Sequence, residues 1–126
     1  MSKILVVDDD RSIVDLLRVL LGKNGYEVCI ARDGKEGLAM ARQEKPDLII
    51  LDVMMPELDG FSVSGILFQD PVMRLIPVLI LTAKPGARDI FELVPNVRLY
   101  MPKPFDPPEL LNNVRKLLGQ QPPKAA

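Results

Sequence analysis

The chain has 126 residues, of which 48% are hydrophobic and 26% charged, the proportions of one globular domain rather than of a disordered polymer. Its 16 basic and 17 acidic side chains leave a formal charge of −1, so there is no electrostatic footprint for direct nucleic-acid binding. With no histidine and one cysteine, Cys29, a histidine-based triad, a His-containing zinc site and an internal disulfide are excluded.

The first apolar run, Ile4 to Val7, is interrupted by Asp8 and is too short for a secretion signal. No apolar segment approaches the roughly 20 residues that span a bilayer, so a cytoplasmic protein without a membrane anchor is expected. A strand is read at Lys3–Val7, then a helix over Arg11–Lys23 in which Ile13, Leu16, Leu17, Leu20 and Leu21 make one apolar stripe. A second strand at Tyr26–Ala31 precedes a helix over Gly34–Gln43, and a third at Asp47–Leu51 precedes a helix over Gly60–Gln69. The fourth strand, Val78–Leu81, is followed by a brief, irregular helix near Ala87–Leu93, and the fifth, Arg98–Met101, by a helix over Pro107–Leu118. Aliphatic runs alternating with helical periods are the mark of βα units, which predicts an α/β fold: a doubly wound, five-stranded parallel sheet. Gln120 to Ala126, with Pro122 and Pro123, has no apolar period and reads as a tail or truncated linker, leaving residues 1–119 as the folded domain.

In such a sheet ligands bind outside the carboxyl ends of the strands. Those ends carry Asp8, Asp9 and Asp10, then Asp52, Thr82 and Lys103, whereas the second strand ends in Ala31 and Arg32. Asp10, which precedes a helix, has a competing reading as an N-cap. Three adjacent acids repel one another unless a cation is near, so Asp8 and Asp9 point to a metal, and hard oxygen ligands point to Mg²⁺. Asp52 ends the run Leu48-Ile49-Ile50-Leu51, where a charge without a partner is costly. A carboxylate nucleophile, a hydroxyl, an ammonium and a metal together form a set suited to phosphoryl transfer onto an aspartate.

Four segments in order, Ile4-Leu5-Val6-Val7-Asp8-Asp9-Asp10, Asp47-Leu48-Ile49-Ile50-Leu51-Asp52-Val53-Met54-Met55-Pro56-Glu57-Leu58-Asp59-Gly60, Pro77-Val78-Leu79-Ile80-Leu81-Thr82-Ala83 and Tyr100-Met101-Pro102-Lys103-Pro104-Phe105, resemble the receiver domain of two-component response regulators. The resemblance runs from Lys3 to about Leu118 and implies the (βα)5, flavodoxin-like form of the sheet. It implies Asp52 as phosphoacceptor, Asp9 as a direct Mg²⁺ ligand, Asp8 as its water-mediated companion, and the Met54 carbonyl and Asp52 as further ligands. Lys103 would pair with the acyl phosphate, Thr82 would turn to a phosphoryl oxygen on activation and Tyr100 would follow it inward. A cis Lys103–Pro104 peptide is implied as well. The function implied is a phosphorylation-dependent signalling switch rather than an enzyme, with chemistry limited to Mg²⁺-dependent self-phosphorylation and self-dephosphorylation. Its partners would be a sensor histidine kinase or phosphotransfer protein and a downstream protein target.

One motif points elsewhere, since Asp8-x-Asp10-x-Ser12 fits the nucleophile motif of haloacid-dehalogenase-like phosphatases. The final acidic metal motif of that family is missing, and Lys103-Pro104-Phe105 stands in its place. A dinucleotide-binding domain fails for lack of a glycine fingerprint after the first strand. Arg98 and Leu99 replace acids that often pair across the receiver dimer face. A homodimer or partner contact is therefore expected on the third-helix side, where Ile66 would face partly and Phe68 more fully outward beside Val72 or Leu75 once Val63 and Leu67 are buried.

Overall fold

The computed structural model describes residues 2–54, 59–84, 86 and 94–119. Five strands, β1 (Lys3–Val7), β2 (Glu27–Ala31), β3 (Leu48–Leu51), β4 (Val78–Thr82) and β5 (Val97–Pro102), form one parallel sheet in the order β2-β1-β3-β4-β5. Among the described residues the α-helices are α1 (Arg11–Lys23), α2 (Gly34–Glu44), α3 (Gly60–Gln69) and α4 (Pro107–Leu117), with a 3₁₀ turn at Met73–Leu75. The helix expected near Ala87–Leu93 and the tail Gln120 to Ala126 lie outside the described residues. No helix among the described residues is long and apolar enough to cross a membrane.

Alternation along the strands divides the core into two layers. Ile4, Val6, Leu48, Ile50, Leu79 and Leu81 pack against Val14, Leu17 and Leu21 of α1 and Leu110 and Val114 of α4. Leu5, Val7, Ile49, Leu51, Val78 and Ile80 face the other way, against Leu38 and Ala41 of α2 and Val63 and Leu67 of α3. The sheet is thus covered on both faces, as aliphatic runs in β1, β3 and β4 require.

An aspartate opens each described α-helix. Asp10, Asp33, Asp59 and Asp106 accept the amides of Ser12, Glu36, Ser62 and Glu109 at 3.0, 2.8, 2.8 and 3.2 Å. The cap reading of Asp10 therefore describes its side chain, which also accepts the Ser12 hydroxyl at 2.7 Å.

Several sequence boundaries shift. Tyr26 is not in β2, because its amide donates to the Leu21 carbonyl at 3.2 Å and so closes the α1 turn. Asp47 precedes β3 but is tied to β1, its amide donating to the Lys3 carbonyl and its Oδ2 accepting the Lys3 amide at 2.8 Å. β4 extends through Thr82 and β5 spans Val97–Pro102 because Val78 pairs with Val97 and Thr82 with Pro102. The helices expected to stop at Gln43 and Leu118 stop at Glu44 and Leu117. On α1 the buried stripe is Val14, Leu17 and Leu21, while Leu16 is exposed, because the sheet meets a face rotated from the one expected.

The outward apolar patch on the third helix is also corrected. Val63 and Leu67 are buried, Ile66 is half-buried against the core and Val72 and Leu75 are exposed, all as expected, but Phe68 is only half-exposed. The guanidinium of Arg74 lies 4.6 Å from the centre of the Phe68 ring, so a cation covers that face. The exposed aromatic of α3 is Phe61 instead.

Candidate functional site

The carboxyl ends of β1, β3 and β4 and the turn after β5 meet over the centre of the sheet. The Asp52 amide donates to the Val7 carbonyl at 3.0 Å and the Asp8 amide to the Ala31 carbonyl at 3.1 Å, which fixes the two backbones side by side. Asp8 and Asp52 are 3% and 5% exposed, and Asp9 is exposed. One oxygen from each of these carboxylates lies within 4.8 Å of the others.

Lys103 reaches this cluster from the far side of the sheet. Its Nζ donates to Asp8 Oδ2 at 2.7 Å and to Asp52 Oδ2 at 3.4 Å. It is held there by its own amide, which donates to the Thr82 carbonyl at 3.0 Å, and it precedes Pro104 through a cis peptide, as the family resemblance implied. The Asp52 Oδ1 accepts the Met54 amide at 3.2 Å, and Asp8 Oδ1 accepts the Asp10 amide at 2.9 Å.

Charge balance is incomplete. Burial pushes the Asp8 carboxyl up from the ordinary range, and the Asp52 charge adds to this, although Lys103 and the Asp10 amide pull it down. Burial pulls Lys103 down, but the hydrogen bond and charge of Asp8 and the charge of Asp52 carry it above its ordinary value. The ammonium therefore stays charged, and one such charge does not offset three carboxylates. An all-oxygen cluster with one exposed member fits a small hard divalent cation that retains some of its water.

Thr82 stands apart from the acids in its hydrogen bonding. It is fully buried, and its Oγ1 accepts the Lys84 amide at 3.2 Å. The Tyr100 hydroxyl donates to the Lys84 carbonyl at 3.1 Å, so the two residues are joined through the backbone of Lys84. Tyr100 is half-buried and its ring packs against the α2–α3 side of the core.

Sequence reasoning missed the service of Gly60. It is buried, its amide donates to the Val53 carbonyl at 3.1 Å, and a Cβ there would lie 2.8 Å from Val53 Cα and closer still to the Asp52 carbonyl oxygen. The signal available was a glycine directly after a capping Asp, at a helix start that has no φ requirement for it.

A doubly wound sheet with acids at its switch point and a lysine from the last strand's turn defines the class: an α/β domain with an acidic, lysine-bridged site. The model of the response regulator receiver domain matches residues 4–115, and the chain belongs to this family. It is 48% identical over 118 residues to the alkaline phosphatase synthesis transcriptional regulatory protein PhoP of Bacillus subtilis, covering 93% of this chain and 48% of that protein. It is 38% identical over 120 residues to protein PilH of Pseudomonas aeruginosa, covering 94% of this chain and 99% of PilH. The chain thus spans about half the length of PhoP and of RpaA from Synechocystis, 48% and 49% of them respectively. Among solved structures, the Vibrio cholerae chemotaxis protein CheY4 superposes with a TM-score of 0.86 at 34% identity, covering 93% of this chain and 98% of that one. The receiver domain of a Pseudomonas aeruginosa sensor histidine kinase, solved with a magnesium ion coordinated in the active site cleft, gives 0.86 at 27% identity, covering 94% and 98%. Receiver domains of two-component response regulators accept a phosphoryl group on an aspartate from histidine kinases and serve as signalling switches.

Proposed function

We propose that Asp52 is the phosphoacceptor of this receiver, taking its phosphoryl group from a histidine kinase or phosphotransfer protein and, by self-phosphorylation, from a small acyl phosphate. The observation that carries this reading is the position of the Asp52 carboxylate, buried at the sheet edge with the Lys103 ammonium 3.4 Å away and Asp8 and Asp9 beside it. Asp8, Asp9, Asp52 and the Met54 carbonyl would hold Mg²⁺, which when bound supplies positive charge against the phosphoryl oxygens. An Asp52 carboxylate oxygen attacks phosphorus, the bond from phosphorus to the donor oxygen or nitrogen breaks, and the electron pair leaves with the donor. Lys103 exchanges part of its contact with Asp8 and Asp52 for the new phosphoryl oxygens. Attack of water on the aspartyl phosphate reverses the state and releases inorganic phosphate.

The signal then passes through Lys84. A Thr82 hydroxyl that turns toward a phosphoryl oxygen gives up the Lys84 amide, and Tyr100 is bound to the carbonyl of that same residue. A local charge change thereby alters packing on the outer side of β5, where a downstream protein would read it. The reading places the protein in the cytoplasm and takes residues 1–119 as the switch domain. Intact-mass measurement after treatment with acetyl phosphate and Mg²⁺ tests it: one added phosphoryl group is expected, absent with chelator and in Asp52→Asn. Undiminished labelling of Asp52→Asn would refute the assignment.

A further inference from the structure

A cavity of about 170 Å³ opens beside the acid cluster, lined by Asp8 and Asp9, by Arg11, Arg18 and Arg32, and by Val14 and Asp15 of α1. Arg11 and Arg18 are two turns apart on one face of α1, and Arg32 is the first residue after β2, so two elements bring three exposed arginines to the lining of one space. Asp15 lies between the two helical arginines, within the spacing at which helix pairs form. Yet among the described residues none of the three guanidinium groups makes an ion pair or hydrogen bond. Their donors are therefore available to a ligand. Arginine presents a planar fork that matches carboxylate and phosphate oxygens, which makes an anion the complementary group.

The acids in the wall do not cancel this preference. Lys103 already contacts Asp8 and Asp52, and a cation held by Asp8, Asp9 and Asp52 would offset the remaining charge. Asp15 would then stand alone against three arginines. The volume suits a carboxylate or phosphate with a few attached atoms, and falls short of the roughly 300 Å³ and more of pockets that take larger ligands.

We propose that this pocket is a subsite for the second anionic group of a small phosphodonor, a carboxylate or phosphate carried a few bonds from the transferable phosphoryl group. The proposal rests on Asp52 as the phosphoacceptor and adds a substrate preference: donors with a second anion over donors without one.

Two unreactive probes test it on the full chain in Mg²⁺: phosphonoacetate, which carries the second anion, and acetonylphosphonate, which keeps the phosphonate but has an uncharged acetyl group in place of the carboxylate. Titration followed by NMR at low ionic strength should show phosphonoacetate binding about tenfold tighter, a ratio equivalent to about 1.4 kcal/mol. The ratio should fall toward one in Arg18→Gln/Arg32→Gln, and also in about 1 M salt, where the Debye length is about 3 Å. Equal affinities in the unaltered protein, or a ratio indifferent to the double substitution, would overturn the subsite. Acetyl phosphate labelling of the same sample separates the two readings. Labelling at Asp52 with no probe preference removes the subsite alone, whereas absence of labelling removes the phosphoacceptor assignment beneath it.

Discussion

Replacing Gly60 by alanine should damage both stability and the site, and the cause is steric. The new Cβ would sit 2.8 Å from Val53 Cα and 3.0 Å from the Asp52 carbonyl carbon. These are backbone atoms at the end of a buried strand, so no rotamer change can make room. Overpacking costs about 1–3 kcal/mol in general, and the rigidity of these neighbours puts the cost near 3 kcal/mol. Alanine recovers up to about 1 kcal/mol of helix propensity, which leaves a net loss of about 2 kcal/mol. For a domain of this size that is a fall of roughly 8 °C in Tm. Gly65, five residues on in the same helix, has nothing within 4 Å of its would-be Cβ. There the propensity gain stands unopposed, and Gly65→Ala should stabilise by about 0.5–1 kcal/mol. Thermal and urea unfolding of the two variants therefore give opposite signs. Because Gly60 bears on the Asp52 backbone, Gly60→Ala should also slow acetyl phosphate labelling. Two variants of equal stability would refute the claim that α3 is seated directly on the phosphoacceptor turn.

Lys103→Met leaves Asp8 and Asp52 buried without their cation and should cost about 3 kcal/mol at neutral pH, a deficit that Mg²⁺ narrows in a melting experiment. Because the folded state raises the Lys103 pKa, its stabilising contribution persists through neutral pH and is lost only as pH rises through that elevated value. Asp8 runs the opposite way from a paired surface carboxylate. Its raised pKa means the folded state takes up a proton more readily, so its contribution is fully present in acid and is lost as pH rises from the ordinary aspartate range through the folded value. Asp8→Asn should accordingly be more stable than the parent at pH 7 without Mg²⁺, with the advantage shrinking in acid; an advantage that grows on acidification would contradict the assignment of burial as the cause. Thr82→Ala removes the acceptor of the Lys84 amide, and the phosphorylation-induced NMR shifts around Tyr100 should shrink more than the labelling of Asp52 does; equal losses would make Thr82 chiefly a participant in the transfer.

The strands were legible because β1, β3 and β4 are nearly unbroken aliphatic runs, and no exposed helix face carries that pattern. The acid cluster was legible for the same reason: a charge at the end of such a run has nowhere to go but the sheet edge. What the one-dimensional pattern withheld were quantities set by neighbours distant in sequence. α1 offers a five-residue stripe, and only the angle at which it meets β1 and β3 decides that Val14 is buried while Leu16 is not. The period of α3 correctly turns Phe68 away from the core. Its solvent face is nonetheless covered by Arg74, which sits within the 3₁₀ turn that follows the Asp70 cap, so periodicity could supply the direction but not the lid.

The same distinction governs the site. Asp8 and Asp9 are neighbours in sequence, and their mutual repulsion could be argued before any fold was known. Lys103 is 95 residues from Asp8 along the chain, and its contact at 2.7 Å depends on the Thr82 carbonyl holding its backbone in place. The arginines of the adjoining cavity come from α1 and from the turn after β2, and nothing in their spacing marks them as a group. Along the chain, Ala31 and Arg32 at the end of β2 offer neither a metal ligand nor a nucleophile. β2 is indeed the edge strand, but β1 is its neighbour, so the residue after β2 borders the pocket that Asp8 and Asp9 line. An edge strand can thus supply charge to a site without supplying any of its reacting groups. The transferable phosphoryl group would be held by the centre of the sheet, and selection among donors would fall to its edge.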